Sequence, residues 1–141
     1  MHVDVTYQGQ VKFEAASRGH RVLTDQPLEN GGRDEGMTPP EWFLASLGSC
    51  IGFYAVKYLE ARHLDTRGLS ISVTAQKTLS TPIYLDPIEI QIHVPIPLDQ
   101  RHQQGLIKAA DACLIHNTLT QHPSVVTRLC LPTSPASSSM S

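Results

Sequence analysis

The sequence is short of charge, of cysteine and of any long apolar run, and each shortage excludes something. Charged residues make up 17% of the 141-residue chain, against a usual value of about 25%. Its 11 Lys and Arg are scattered among 13 Asp and Glu, for a net charge of −2. There is no basic stripe, so nucleic-acid binding by phosphate neutralisation is not expected. The composition is nevertheless too apolar and too evenly mixed for a disordered chain. Three cysteines, Cys50, Cys113 and Cys130, cannot all pair within one chain. A chain of this size can bury an ample core without staples, so a disulfide framework is not expected either. The best candidate for a membrane span, Trp42 to Val56, has 15 residues without a charge and ends at Lys57 and Glu60. A membrane span needs about 20. No membrane association is therefore expected, and the run reads as a helix buried on nearly all sides. So buried a helix is easiest to build in a small chain if a second subunit covers it, which makes a homo-oligomer the expectation. Met1-His2-Val3-Asp4-Val5 alternates rather than placing a charged region before an apolar one. No secretory signal is visible, and the expected location is cytoplasmic.

The length suits one domain, expected over residues 1–131, with a disordered Ser/Pro-rich tail at 132–141. Val3, Val5 and Tyr7 alternate, as do Val11, Phe13 and Ala15; with His20–Thr24 and turns at Gly9 and Gly19 they predict a three-stranded meander. A polar loop, 25–36, follows. Thr38-Pro39-Pro40-Glu41 then combines an N-cap, a proline at the first helical position and the second half of a capping box. The helix it opens is predicted to reach Ala61. Leu69–Gln76 reads as a strand, and the alternation of Ile88, Ile90, Ile92 and Val94 is the clearest strand in the chain. Asp99 can cap a helix running to Ala112 or Cys113; a short helical turn covers Leu114–Thr120, and Ser124–Leu131 is predicted as a last strand. Strands, a long helix, strands, helices and a strand give an α+β fold.

Chemistry in such a chain has few candidates. Cys50 sits inside the long helix in Gly48-Ser49-Cys50-Ile51-Gly52. It is either a small hydrophobe in a crowded core or a reactive thiol. Ala45, Gly48 and Gly52 form one small-residue face suited to a tight helix crossing, and Cys50 points elsewhere. If the helix breaks near Cys113, that thiol lies at the start of the following turn, where the helix dipole would favour a thiolate. Cys113 and His116 are half of a zinc site, but no second pair with ligand spacing exists; neither a metal nor another cofactor is expected. Cys130 reads as packing on the last strand. Glu41 stands nine residues before Cys50, which places it about 180° round the helix and roughly 13 Å away. Any catalytic part for Glu41 would need a bridging side chain, a non-ideal helix or a site assembled across a subunit boundary.

The stretch from Gly31 through Thr38-Pro39-Pro40-Glu41-Trp42 to Gly48-Ser49-Cys50 closely resembles the OsmC/Ohr family of osmotically inducible and organic-hydroperoxide-resistance proteins, in its OsmC-like branch. The family's second cysteine is matched by Cys113-Leu114-Ile115-His116, 63 residues after Cys50, with Leu114 where the family usually has proline. The resemblance implies an intertwined homodimer in which antiparallel sheets enclose two long central helices. It implies thiol-dependent peroxidase activity on alkyl or fatty-acid hydroperoxides in oxidative or osmotic stress defence. By the same carry-over Cys50 is the peroxidatic thiol, Cys113 the resolving thiol, and Glu41 the acid that holds an arginine near the thiolate. That arginine belongs to the N-terminal strands, where Arg18 and Arg21 are the candidates, with Arg33 of the loop third.

In the implied cycle the Cys50 thiolate attacks the peroxide, an alcohol leaves, and the sulfenic acid condenses with Cys113. An external dithiol then restores both thiols. Leu47, Phe53, Tyr54 and Trp42 around Cys50 suit an alkyl hydroperoxide. The alternative from another class is a dimeric binding module for a small apolar ligand with non-catalytic cysteines. A cysteine hydrolase ranks last, because the helix offers no histidine base beside Cys50.

Overall fold

The computed structural model describes residues 1–133. Three antiparallel strands, β1 (Asp4–Tyr7), β2 (Phe13–Ser17) and β3 (His20–Thr24), form the expected meander in the order β1-β2-β3. A loop containing a single 3-10 turn at Leu28–Asn30 leads to the long helix α1 (Pro39–Ala61). A second antiparallel pair follows, β4 (Ser70–Lys77) with β5 (Leu85–His93), in register from Ser70 opposite His93 to Ala75 opposite Ile88. Two shorter helices, α2 (Gln100–Asp111) and α3 (Leu114–Thr120), complete the α+β architecture.

Local chemistry explains most of these boundaries. Thr38 is extended and caps α1 through the full capping box, with proline at the first helical positions. The Asp99 side chain accepts the His102 N–H to start α2. Between α2 and α3 the backbone leaves helical geometry at Cys113 (φ −61°, ψ 140°), so the break forms with Leu114 in place of proline.

Leu47, Ile51, Ala55 and Leu59, each one turn after the last, are the buried stripe of α1. Leu47 and Ile51 meet Ala110 and Cys113; Ala55 and Leu59 meet Leu106. Ile71, Val73, Ile88, Ile90 and Ile92 of the β4–β5 pair close the first of these clusters. The helix is long and apolar enough to cross a bilayer by length and composition, but this stripe is the pattern of a core helix.

One copy of the chain covers α1 on its β4, α2 and α3 sides and leaves Phe43 and Phe53 exposed, so burial on nearly all sides would take a second subunit. Two expectations are corrected. The small-residue face meets a sheet rather than another helix: a Cβ on Gly48 would stand 3.0 Å from Val73 Cγ2, and one on Gly52 3.6 Å from Ile71 Cγ1. Ser124–Leu131 forms no strand, because it lies along neither sheet's edge and a strand exists only through its ladder. Its Val125, Val126, Leu129 and Leu131 are exposed. Of the tail expected at 132–141, residues 134–141 lie outside the described residues.

The meander packs mainly on itself. It touches the rest of the chain through the loop, where Thr24 bridges Met37. Val3, Val5, Tyr7, Val11 and Phe13 are all exposed, with the Tyr7 and Phe13 rings 5.5 Å apart.

Candidate active site

Cys50 and Cys113 come together in the core. Cys50, half-buried on α1, packs against the cluster in which Cys113 is wholly enclosed, along with Leu47, Tyr54, Ile88, Ile90 and Ile115. Helical spacing puts Cys50 on the face of Leu47 and Tyr54. The break before α3 then turns the Cys113 sulfur toward that face. Both are free thiols.

The two sulfurs sit in unequal surroundings. Burial, and after it the neighbouring Cys50 thiol, push the Cys113 thiol above its ordinary value, although the His116 and Ile115 backbone N–H groups pull the other way. The His116 N–H lies 3.3 Å from Cys113 Sγ. The sequence-based expectation that the helix start would favour a Cys113 thiolate is thereby corrected: desolvation of a fully enclosed sulfur outweighs the N–H groups of one short turn.

Glu41 is on the other side of α1, as its spacing requires. Its Oε1 accepts from the Thr38 backbone N–H at 2.9 Å and from the Thr38 hydroxyl at 2.8 Å, and these bonds hold its carboxyl below the usual value. With Ala45, Gly48, Gly52, Ile71 and Val73 it borders a groove of about 770 Å³ between α1 and β4.

The arginines are not at the cysteines within one chain. Arg18 holds the turn between β2 and β3 at φ 51°, and Arg21 on β3 pairs with Glu14 of β2. Both border a hollow of about 650 Å³ with His2 and Asp4. Arg33 contributes its backbone N–H to Asp25, 3.2 Å away. The expected packing role of Cys130 is not seen, since the residue is exposed and outside any strand.

Two features escaped sequence reasoning. Asp25 is 2% exposed at the head of the loop, and its carboxylate takes the backbone N–H groups of Gln26, Arg33 and Glu35 at 2.8, 3.2 and 3.1 Å. Nothing in the local sequence marks this hub beyond its polar, glycine-rich setting. The second is an apolar pocket of about 410 Å³ beside the N-terminal end of α1, bordered by Pro39, Pro40, Phe43, Leu85, Ile88 and Leu119 among others. It shares Ile88 with the cysteine cluster.

Among the described residues no group of three or more His, Cys, Asp or Glu is placed to hold a metal ion.

The family model for OsmC-like protein matches residues 32–128. The chain belongs to the OsmC-like family. A crystal structure of a Psychrobacter arcticus protein named for osmotic stress induction and detoxification response superposes with a TM-score of 0.75 at 25% identity, over 86% of this chain and 88% of that one. An OsmC-like protein of Mycoplasma pneumoniae follows at 0.73 and 20%, over 86% and 87%. An organic hydroperoxide resistance protein of Elizabethkingia anophelis, with thiocyanate bound, gives 0.65 at 16%, over 86% and 90%. The last two likenesses speak to the OsmC-like fold alone. No curated protein matches the sequence.

Proposed function

We propose that this OsmC-like chain is a two-cysteine peroxidase that reduces organic hydroperoxides, working as a cytoplasmic homodimer in stress defence. The observation that carries the reading is the meeting of Cys50 and Cys113 in one apolar cluster from positions 63 residues apart. Cys50 is the half-buried member and the one a peroxide can reach; Cys113 is the enclosed one that must act second. The Cys50 thiolate attacks the outer peroxide oxygen, the alcohol departs, and a sulfenic acid remains. Cys113 displaces its hydroxyl as water to form the disulfide, and an external dithiol reduces it by exchange. The adjoining apolar pocket suits an alkyl chain better than hydrogen peroxide. Names of relatives, for osmotic stress and detoxification and for organic hydroperoxide resistance, fit the same role.

The activating cation is proposed to come from the meander of a second copy, with Arg18 and Arg21 as its carriers and Glu41 as the acid that holds it. Two observations support a partner there: the apolar side of the meander is open, and so are Phe43 and Phe53 of α1. The test is peptide mass spectrometry of the reduced protein, in a Cys130→Ser background, before and after one equivalent of cumene hydroperoxide. Loss of two hydrogens in a Cys50–Cys113 crosslinked peptide, reversed by a dithiol, is the expected result. Unchanged thiols with the peroxide left over would overturn the reading.

The 410 Å³ pocket also favours a second reading, a binding module for a small apolar ligand. A binder keeps its affinity in Cys50→Ser, whereas a peroxidase loses its activity.

A further inference from the structure

His116 is the one ionisable side chain of α3, and the two-cysteine cycle as written gives it no part. Its Nε2 faces the carboxylate of Asp111, 3.7 Å from Oδ1, across the break between α2 and α3. Its Nδ1 is shut off from solvent and has no hydrogen-bond partner. Its backbone N–H points at Cys113 Sγ. A neutral imidazole with its proton on Nε2, toward the carboxylate, carries a lone pair on Nδ1. That lone pair is then on the enclosed side, on the turn that already touches the sulfur.

We propose that His116, oriented by Asp111, is the proton acceptor that readies Cys113 for disulfide formation. The need for one follows from the enclosure of Cys113: burial holds its thiol protonated, and only the thiolate is a competent nucleophile. Cys113 and His116 belong to one helical turn, and the proposed transfer requires the imidazole to turn about its side-chain bonds until Nδ1 meets Sγ. The proton of Cys113 passes to Nδ1 while the sulfur pair attacks the sulfur of the Cys50 sulfenic acid. The S–O bond breaks, the departing hydroxide takes the proton from the imidazolium, and one water leaves for each S–S bond formed. The arrangement follows the nucleophile, base and orienting-acid pattern of activated thiols, applied to the resolving step. Cys50 and Tyr54 of α1 pack against the Cys113 cluster, Asp111 of α2 faces His116, and β4 and β5 close the cluster with aliphatic side chains.

The inference rests on the two-cysteine reading for its biological meaning, but its test does not need a peroxide. In a Cys130→Ser background, Cys50 is loaded with 5,5′-dithiobis(2-nitrobenzoate), and release of the second thionitrobenzoate reports attack by Cys113 on the Cys50 mixed disulfide. His116→Asn is expected to slow that release at pH 7 at least tenfold, in line with the roughly 10²–10⁴-fold contribution of a positioned base. The deficit should close as pH rises and hydroxide ionises Cys113 directly. Asp111→Asn, at an exposed position, should slow release less, and added imidazole should restore the rate of His116→Ala. A pH profile of unchanged shape in His116→Asn, or no rescue by imidazole in a folded His116→Ala, overturns the proposal. Wild-type protein that exchanges its disulfide in this way yet ignores cumene hydroperoxide would sink the peroxidase reading and leave the role of His116 standing.

Discussion

The Glu41 carboxylate is bound by Thr38 and faces away from Cys50: one oxygen takes both the backbone N–H and the hydroxyl of the cap. Thr38→Ala is therefore expected to cost about 1 kcal/mol in a urea or thermal unfolding series. Glu41→Gln should keep the cap, because glutamine serves at that position, but should lose its pH dependence. The folded carboxyl titrates below its ordinary value, so its stabilisation is complete above about pH 4.3 and is lost as the pH falls through the folded value. The same variant separates cap from catalysis. If Glu41 also holds an arginine beside Cys50 of the other subunit, Glu41→Gln melts close to wild type and oxidises Cys50 more slowly. An unchanged oxidation rate would confine Glu41 to the cap.

Asp25 makes a second, stricter prediction. Burial alone would push its carboxyl up, but the N–H groups of Gln26, Glu35 and Arg33, with the charge of Lys12, hold it below the usual carboxylate value. Its contribution is thus present above about pH 4 and disappears as the pH falls through the folded value. Asp25→Asn should remove that acid-sensitive part, so the difference in unfolding free energy between pH 7 and pH 3.5 should shrink. Gly32 lies against the same hub: a Cβ there would stand 1.9 Å from the Gln26 carbonyl oxygen and 2.8 Å from Asp25 Oδ1. Because the obstruction is backbone, Gly32→Ala should destabilise by about 3 kcal/mol or more, at the upper end of overpacking effects. A variant within about 0.5 kcal/mol of wild type, the range of an ordinary surface substitution, would contradict the hub.

The contrast between Thr38 and Asp25 shows what could be read from sequence. The cap, the prolines at the helix start and the alternation of Ile88, Ile90 and Ile92 act within a few residues of themselves, so composition and spacing determine them. Asp25 gathers amides up to ten residues away in a loop without periodicity, and no local rule marks that. Ser124–Leu131 has strand chemistry, but the alternation describes a surface and not the edge that would pair with it. At Cys113 the sequence places the thiol correctly at a helix start, yet the sign of its ionisation depends on enclosure by Leu47, Ile51 and the sheet. Arg18 and Arg21 could be placed on the meander, but what the meander faces is a matter of assembly.

Gly105 and Tyr58 should show a reversal of sign. In the interior of an exposed helix, glycine to alanine gains about 1 kcal/mol. Here a Cβ on Gly105 would meet the Tyr58 hydroxyl at 2.1 Å and its ring carbons at 2.6 and 2.8 Å. That ring is pinned, by the Arg62 guanidinium 3.7 Å above it and by its hydroxyl 3.3 Å from His102 Nδ1. Gly105→Ala should therefore destabilise the wild type by about 1 kcal/mol, the lower end of overpacking, and stabilise a Tyr58→Ala background. A double-mutant cycle by urea unfolding should give a coupling of about 2 kcal/mol, within the range for residues in contact. Additivity would mean that the ring swings aside freely.

The open apolar surfaces make the last prediction. Val5, Tyr7 and Phe13 on the meander, Phe53 on α1, and Val125, Val126 and Leu129 after α3 are too many large exposed side chains for a chain with so small an internal core. A partner that covers them would also bring the meander's arginines to Cys50, linking assembly to reactivity. Sedimentation equilibrium should return twice the 15.5 kDa chain mass at micromolar concentration. Hydrogen exchange should find the amides of 124–131 protected in the assembled state, since there the segment gains the ladder that one chain does not offer. Val5→Asp with Val126→Asp should yield monomers and slow the oxidation of Cys50 by cumene hydroperoxide about tenfold or more, the scale of a lost charge-assisted contact of roughly 1.5–3 kcal/mol. A monomer with undiminished Cys50 oxidation would show that this thiol needs no cation from a second subunit, and would leave Arg33 in the loop of its own chain as the candidate.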